Sequence, residues 1–539
     1  MSNYIHIKRH IKRKLLTFKP FQKAKQALVF IHTILFSSTV LANPILDNIA
    51  SGEVAIQQSA SSMVVQQSSQ KAILNWQSFN IGQNESTHFQ QPAGGIALNR
   101  INPDQGASQI YGRLTATGDV ILLNGSGIHF GPSAYVNVGN LIAGTSHLSD
   151  QNFLNAYYQF SPLSPYTGSI VNEGQLIAAN HGLIALLGAG VSNSGHIEAH
   201  MGKIVLASGS AFTMNFSGNE LVHFSVDESA KMVGVDQDGK SLESGVTNTG
   251  KLIANGGSIQ VTAKTAASVL DNAINMSGIA EAKAIGVKNG EIILMAHSGT
   301  TKVSGKLDVS GKNSNEKGGQ IKILGNKVAL YEKGIMDASG DQGGGEVLMG
   351  GNFQGKGPEL NAQYTFFSRD AWIDASALTS GEGGKVIVWS DFNTKFYGTI
   401  LAHGGIQGGN GGFVETSGGN LVFEGHVDVA SIFGKAGTIL LDPDFIYIVN
   451  GSGGDFDSYL DSGNAIAFGE GTETGTVSVD KLRALGDVNI TLQAKKNIYV
   501  GDSADHLASV NLSGLYNSTF TLQAGDSATV GGGHVIFKD

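Results

Sequence analysis

The chain has 539 residues, 41% hydrophobic and 15% charged, with a formal net charge of −9. That is enough apolar sequence for a large core, and 74 glycines against only 9 prolines exclude both a collagen and a proline-rich linker. The absence of cysteine excludes a disulfide framework, thiolate metal sites and a cysteine nucleophile.

Residues 1–42 hold Lys8, Arg9, Lys12, Arg13, Lys14, Lys19, Lys23 and Lys25 and no acidic residue. An apolar run over Ala27–Phe36 follows, then Val40-Leu41-Ala42 ahead of Asn43. This reads as a secretory signal peptide with a long basic start, cleaved between Ala42 and Asn43. A membrane anchor fits less well. Ala27–Leu41 is interrupted by His32, Thr33, Ser37, Ser38 and Thr39, whereas a span needs roughly 20 apolar residues. Cleavage removes eight positive charges and takes the net charge from −9 to −17. That argues against nucleic acid and anionic lipid as partners, and no permanent membrane span is expected.

Asn43–Gly82 is poorer in glycine and carries Trp76 and Phe79, as expected of an N-terminal cap. Then come short apolar runs at Asp119–Leu123, Ile128–Phe130, Tyr135–Val138 and Leu141–Ala143, separated by Asn124–Gly127, Gly131–Ser133 and Gly139–Asn140. These are strands interrupted by turns, too short for helices. A chain that turns every five or six residues coils around an axis.

Six blocks in order over about 70 residues carry a resemblance. They are Trp76-Gln-Ser-Phe-Asn-Ile-Gly82, Ala97-Leu-Asn-Arg100, Gln109-Ile-Tyr-Gly-Arg-Leu114, Gly118-Asp-Val-Ile-Leu122, Gly127-Ile-His-Phe-Gly131 and Val136–Ala143. The stretch resembles the secretion domain of the filamentous haemagglutinin family, exported by two-partner secretion systems of Gram-negative bacteria. Where that family usually has Asn-Pro-Asn-Gly, this chain has Asn124-Gly125-Ser126-Gly127. Gly-Ser makes the same bend less rigidly than a proline that presets its dihedral. The resemblance implies transporter-recognition positions at Asn80, Asn99, Arg100, Asn124 and Gly127.

From Ser169 the chain repeats a strand, a polar turn, a strand, and a Gly-led strand. Ile170–Ala178 with His181–Leu186 returns as Val191–Ala199 with Gly202–Leu206, and again as Val246–Ala254 with Gly256–Val261. Later Gly-led strands follow Gly290, Gly319, Gly345, Gly384, Gly412 and Gly437, at spacings of 29, 26, 39, 28 and 25. Periods in the twenties with elastic insertions signal a solenoid. Short Val/Ile/Leu strands without helical periodicity make it all-β, a right-handed parallel β-helix with an N-terminal β cap. Val171, Leu176, Ile184 and Leu186 are expected to point inward, with glycine at corners that need positive φ. Gly451–Gly475 reads as an acidic, glycine-rich break and Lys481–Leu485 as a short helical turn. Beyond it, Thr491-Leu-Gln-Ala494 recurs as Thr521-Leu-Gln-Ala524. The expected organisation is a signal at 1–42, a secretion domain at 43–280, β-helix repeats at 281–449, and the break with further repeats at 450–539.

Motifs that carry chemistry are missing: no complete G-x-G-x-x-G, phosphate-binding loop, H-E-x-x-H or G-x-S-x-G occurs. Asp341–Gly345 and Gly404–Gly412 faintly resemble calcium-binding glycine repeats but lack the nine-residue succession. Asp442-Pro443-Asp444 is explained by turn chemistry. His88, His129, His147, His181, His196, His200, His403 and His426 show no ligand spacing and read as corner or surface residues. After residue 42 only Arg100, Arg113, Arg369 and Arg483 are arginines, and the acids read as spread along the coils rather than stacked. No enzyme activity, cofactor or metal is expected.

The resemblance implies a secreted or surface-exposed adhesin- or haemagglutinin-like rod, passing through Sec and the periplasm. An Omp85-type outer-membrane transporter would recognise it, and a host-cell surface glycan or protein would be its receptor. The alternatives are an autotransporter-like passenger, which would need a C-terminal barrel, a β-helical polysaccharide-acting enzyme, and a shortened remnant of a larger adhesin.

Overall fold

The computed structural model describes residues 43–218, 220–266, 270–449, 476–486, 488–501, 519–525 and 533–537. The signal segment and the 451–475 break lie outside the described residues.

The chain winds as a parallel β-helix. Each regular coil supplies two strands to a large sheet and one to a smaller, 14-stranded sheet. In one coil these are Ile170–Asn172, Gln175–Ala178 and Leu183–Gly188. The next coil lies on it in parallel register, pairing Ile170 with Val191, Gln175 with His196 and Ile184 with Ile204. The third repeat follows in the same frame, with Val246, Lys251 and Ile259. Even the last repeat keeps register, Thr491–Ala494 pairing with Thr521–Ala524. The helix Val479–Ala484 buries Val479 and Leu482 in the coil interior.

The first coil is closed by antiparallel strands. Ile45–Ser51 pairs with Lys71–Ser78, and Val54–Gln58 with Ser62–Gln67. This covers edges that would otherwise template another chain. Behind the cap, the Trp76 ring meets Phe79 edge-on at 5.2 Å, and both are buried.

Three expectations need correction. Leu176, Ile184 and Leu186 belong to the interior core, whereas Val171 is buried but lies outside that cluster; Ile170 and Asn172 take the inward positions beside it. Strand alternation forces this once the Asn172 carboxamide turns inward, where it donates to Asn193 at 2.7 Å, and Asn193 in turn to Asn248 at 2.7 Å. The recurring glycines at 290, 319, 345, 384, 412 and 437 do not have positive φ. They are needed for space: a Cβ on Gly345 would lie 2.1 Å from the Gly319 carbonyl oxygen, and one on Gly384 2.1 Å from that of Gly345. The acids do stack. Glu281, Asp308, Asp337 and Asp374 occupy one register column of the smaller sheet. Their repulsion is offset locally: Ser310 and Lys306 bond Asp308 at 2.7 and 2.8 Å, and Lys312 pairs with Asp337 at 2.7 Å.

Candidate functional site

Between the second and third repeats the offset grows from about 20 to 55 residues. The extra chain leaves the coil as a hairpin, Ala211–Ser217 with Glu220–Glu228, joined by Tyr158–Phe160 in a three-stranded antiparallel sheet. Together with the helix Asp150–Leu154 it covers an apolar column on the outside of the large sheet. Ile73, Leu98, Ile121, Ile142 and Ala185 face Phe153, Phe160, Phe212 and Phe224 across this second core. The sequence reading missed it, although the alternation Phe212, Met214, Phe216 and the long offset were its signals. Under the hairpin remains a cavity of about 300 Å³, lined among others by Ile96, Ile142, Tyr158 and Asp119. Burial raises the Asp119 carboxyl above its usual range, and hydrogen bonds with Asn140 partly counter it.

Against this framework the predicted recognition residues fall into two groups. Asn99 and Arg100 sit on Ile96–Ile101. Asn99 is fully buried: its oxygen accepts from the Trp76 indole at 2.9 Å, and its amide donates to the Ile121 carbonyl at 3.1 Å. Arg100 is partly exposed. It donates to Asn75 at 3.0 Å and pairs with Asp150 at 2.6 Å. Asn75 also holds cap residue Asn48 at 2.9 Å, so Arg100 links cap, coil and outer helix.

The second group surrounds the strand Ser108–Ile110. Asn80 accepts from the Gln109 amide at 2.8 Å on one side. On the other, the buried Asn124 donates to Ser108 Oγ and to the Gly106 carbonyl, both at 3.0 Å. The Asn124 side chain also accepts from Ser126 N at 3.0 Å, and Gly127 N closes the turn onto the Asn124 carbonyl at 2.9 Å. Gly127 has φ +107°, and a Cβ there would come 2.7 Å from the Ser169 oxygen; glycine is required on both counts. Without proline, the bend is held by side chains: Ser126 Oγ donates to the Pro103 carbonyl at 2.7 Å, and Tyr166 hydrogen-bonds Asp104 above it. Asn43 is buried and its amide reaches the Ala60 carbonyl at 3.4 Å; Ala42 lies outside the described residues. The structure therefore joins Asn80, Asn124 and Gly127 through one short strand and leaves Asn99 and Arg100 on another.

Among the described residues no group of three His, Asp or Glu could hold a metal ion, and no helix is long and apolar enough to cross a membrane. His196 and His200 both reach Glu198, at 3.0 and 2.8 Å, on the half-exposed outside of the coils.

Residues 42–309 match the family model of the TPS secretion domain. This part of the chain is a two-partner secretion domain. The family consists of exoproteins secreted across the outer membrane, and its partner is a TPS transporter. Two heme/hemopexin-binding proteins of Haemophilus influenzae are similar. One is 32% identical over 293 residues, covering 51% of this chain and 30% of the relative; the other is 30% identical over 268 residues, covering 46% and 27%. The chain thus spans about a third of the length of these relatives. The crystal structure of the HMW1 secretion domain from Haemophilus influenzae superposes with a TM-score of 0.62 at 28% identity, covering 72% of this chain and all of that one. The β-helix is the shared fold.

Proposed function

We propose that the chain is an adhesin- or haemagglutinin-like exoprotein whose signal is removed between Ala42 and Asn43 after Sec export. An Omp85-type transporter then takes residues 43–280 as its secretion domain. The coils of 281–449 and the repeats within 450–539 form the exported body that meets a glycan or protein on a host cell. The observation that carries this reading is a TPS secretion domain continued in register by further coils. Coil-by-coil stacking suits vectorial emergence, because each coil needs only its predecessor as a template.

Asn80, Asn124 and Gly127 are proposed as the transporter-recognition turn, with Asn99 and Arg100 holding the adjoining coil. Since Asn99 and Asn124 are buried in the folded chain, the transporter would read them before the coils close. Expression with and without a co-expressed TPS transporter tests the reading: the medium should contain a form starting at Asn43 only when the transporter is present. Retention in the periplasm in both cases would overturn it.

A further inference from the structure

The longest spacing among the later Gly-led strands, between Gly345 and Gly384, makes room for an insertion. Gly350–Asn361 lies as a strap across the outside of the large sheet. The Gln354 amide donates to both Glu415 carboxylate oxygens, at 3.2 and 3.1 Å. Asn352 donates to Glu359 at 2.7 Å, Lys322 pairs with Glu359 at 3.2 Å, and Phe353 meets Phe413 edge-on at 5.7 Å. Gly351 and Gly355 lie so close to the Trp389 ring that a Cβ would approach it to 2.7 and 2.6 Å. The strap is thus a fixed wall.

Beside it a groove of about 480 Å³ crosses successive coils, lined among others by Trp389 and by Gly418 and Gly419, which bring no side chains into it. Polar groups converge on it from the strap and from separate coils. Gln354 Nε2 donates to Gln493 at 3.2 Å and to Asp442 at 3.4 Å, and Trp389 Nε1 donates to Asp391 at 3.0 Å. Carboxylates and carboxamides can each accept more than one hydrogen bond. Lys356 and Lys495 line the same groove as the acids, and Lys496 pairs with Asp444 at 3.2 Å. Mixed signs give no preference for a strongly charged ligand. The volume falls in the range of small-molecule sites, and the groove's direction along the stacked coils suits a short chain.

We infer that this groove binds a short neutral oligosaccharide, whose hydroxyls pair with Gln354, Asp442 and Gln493 while a sugar face packs against the Trp389 indole. The inference deepens the adhesin reading and rests on it. It puts the receptor contact outside the secretion domain, and no bond is made or broken. Glu415 does not line the groove and takes no part in contact with the ligand.

The test is calorimetric titration of the chain from Asn43 to Asp539 with maltotriose, cellotriose and chitotriose, and with a heparin-derived tetrasaccharide as the charged comparison. One neutral trisaccharide should bind, and both Trp389→Ala and Asp442→Asn should weaken it at least tenfold. The Asp442→Asn variant should keep the parent's melting temperature, so its loss is not a loss of fold. No binding of any neutral trisaccharide at about 10 mM, a limit that leaves only negligible affinity, would overturn the inference. So would preference for the sulfated sugar, or parental affinity in both variants. No transporter or cell takes part, so a failed secretion assay leaves this result standing. Sugar binding without adhesion to cells would instead overturn the adhesin reading alone.

Discussion

Glu415 projects from the outer face of the large sheet but is completely covered by the strap. Burial is the main cause that pushes its carboxyl up to about 7, and Asp442 adds to it, against hydrogen bonds from Gln354 and Ser417 and the charge of Lys385. The unfolded chain releases this proton near 4.5, while the folded chain holds it to about 7. The folded state therefore binds more protons across that window, and stability falls as pH rises through it. Glu415→Gln removes the titration and keeps an acceptor for the Gln354 amide. Urea midpoints at pH 5 and pH 8 should show the variant gaining on the parent at the higher pH, by up to about 3 kcal/mol. An equal difference at both values would refute the assignment.

Asp308 has the opposite sign. Burial works to raise its carboxyl, but hydrogen bonds from Lys306 and Ser310 outweigh burial and hold it below the ordinary value. Its contribution is present above the unfolded carboxylate range and is lost as pH falls through the folded pKa. Replacement by Ala strands the Ser310 amide and hydroxyl. The expected loss is about 2 kcal/mol at neutral pH, shrinking in acid, as denaturant titration of both chains would show.

Within the elements, two columns set the distance and register of neighbouring coils. The asparagine ladder at 172, 193 and 248 hydrogen-bonds along the axis inside the core. Asn193→Ala leaves unpaired amide groups on both neighbours, at a cost of about 2–4 kcal/mol. Hydrogen exchange should quicken first in the turns at Gly174 and Gly250, whose neighbours it holds. The glycine column works by exclusion. In Gly345→Ala the new methyl would meet a backbone carbonyl, which cannot rotate away as a side chain could. Coil separation or a shift of register follows, with a loss of about 3 kcal/mol or more. The same change at Gly239, where nothing lies within 4 Å but φ is +77°, should cost only about 1 kcal/mol of backbone strain.

Over the whole molecule, a parallel solenoid must finish its sheets, and here the start is finished by antiparallel pairing. Deleting residues 43–58 would bare the Lys71–Ser78 and Ser62–Gln67 edges. Size-exclusion chromatography should then show association that grows with concentration, while the circular dichroism of the remaining coils stays β. A monomer unchanged in size would mean that the cap does not protect the edge. At this scale too, the second core covers the earlier coils of the secretion domain, and the described residues beyond 309 continue the stack without a three-stranded outer sheet.

Legibility followed the range of each signal. Short Val/Ile/Leu strands, recurring Gly-led segments and the six blocks near Trp76 were enough for the β-helix, its cap and its relation to two-partner secretion, because a solenoid repeats its local chemistry in every coil. The sequence also showed which asparagines recur, as at 172, 193 and 248. It did not show which way they face. Ile170 and Val171 are equally apolar, and only the register of adjacent coils decides that Ile170 and Asn172 turn inward. The outer core over Ile121 and Ile142, the strap that covers Glu415 and the groove beside Trp389 join residues tens of positions apart, with no repeating pattern to announce them. Those contacts exist only after the coils have stacked, since stacking is what brings distant insertions onto one face.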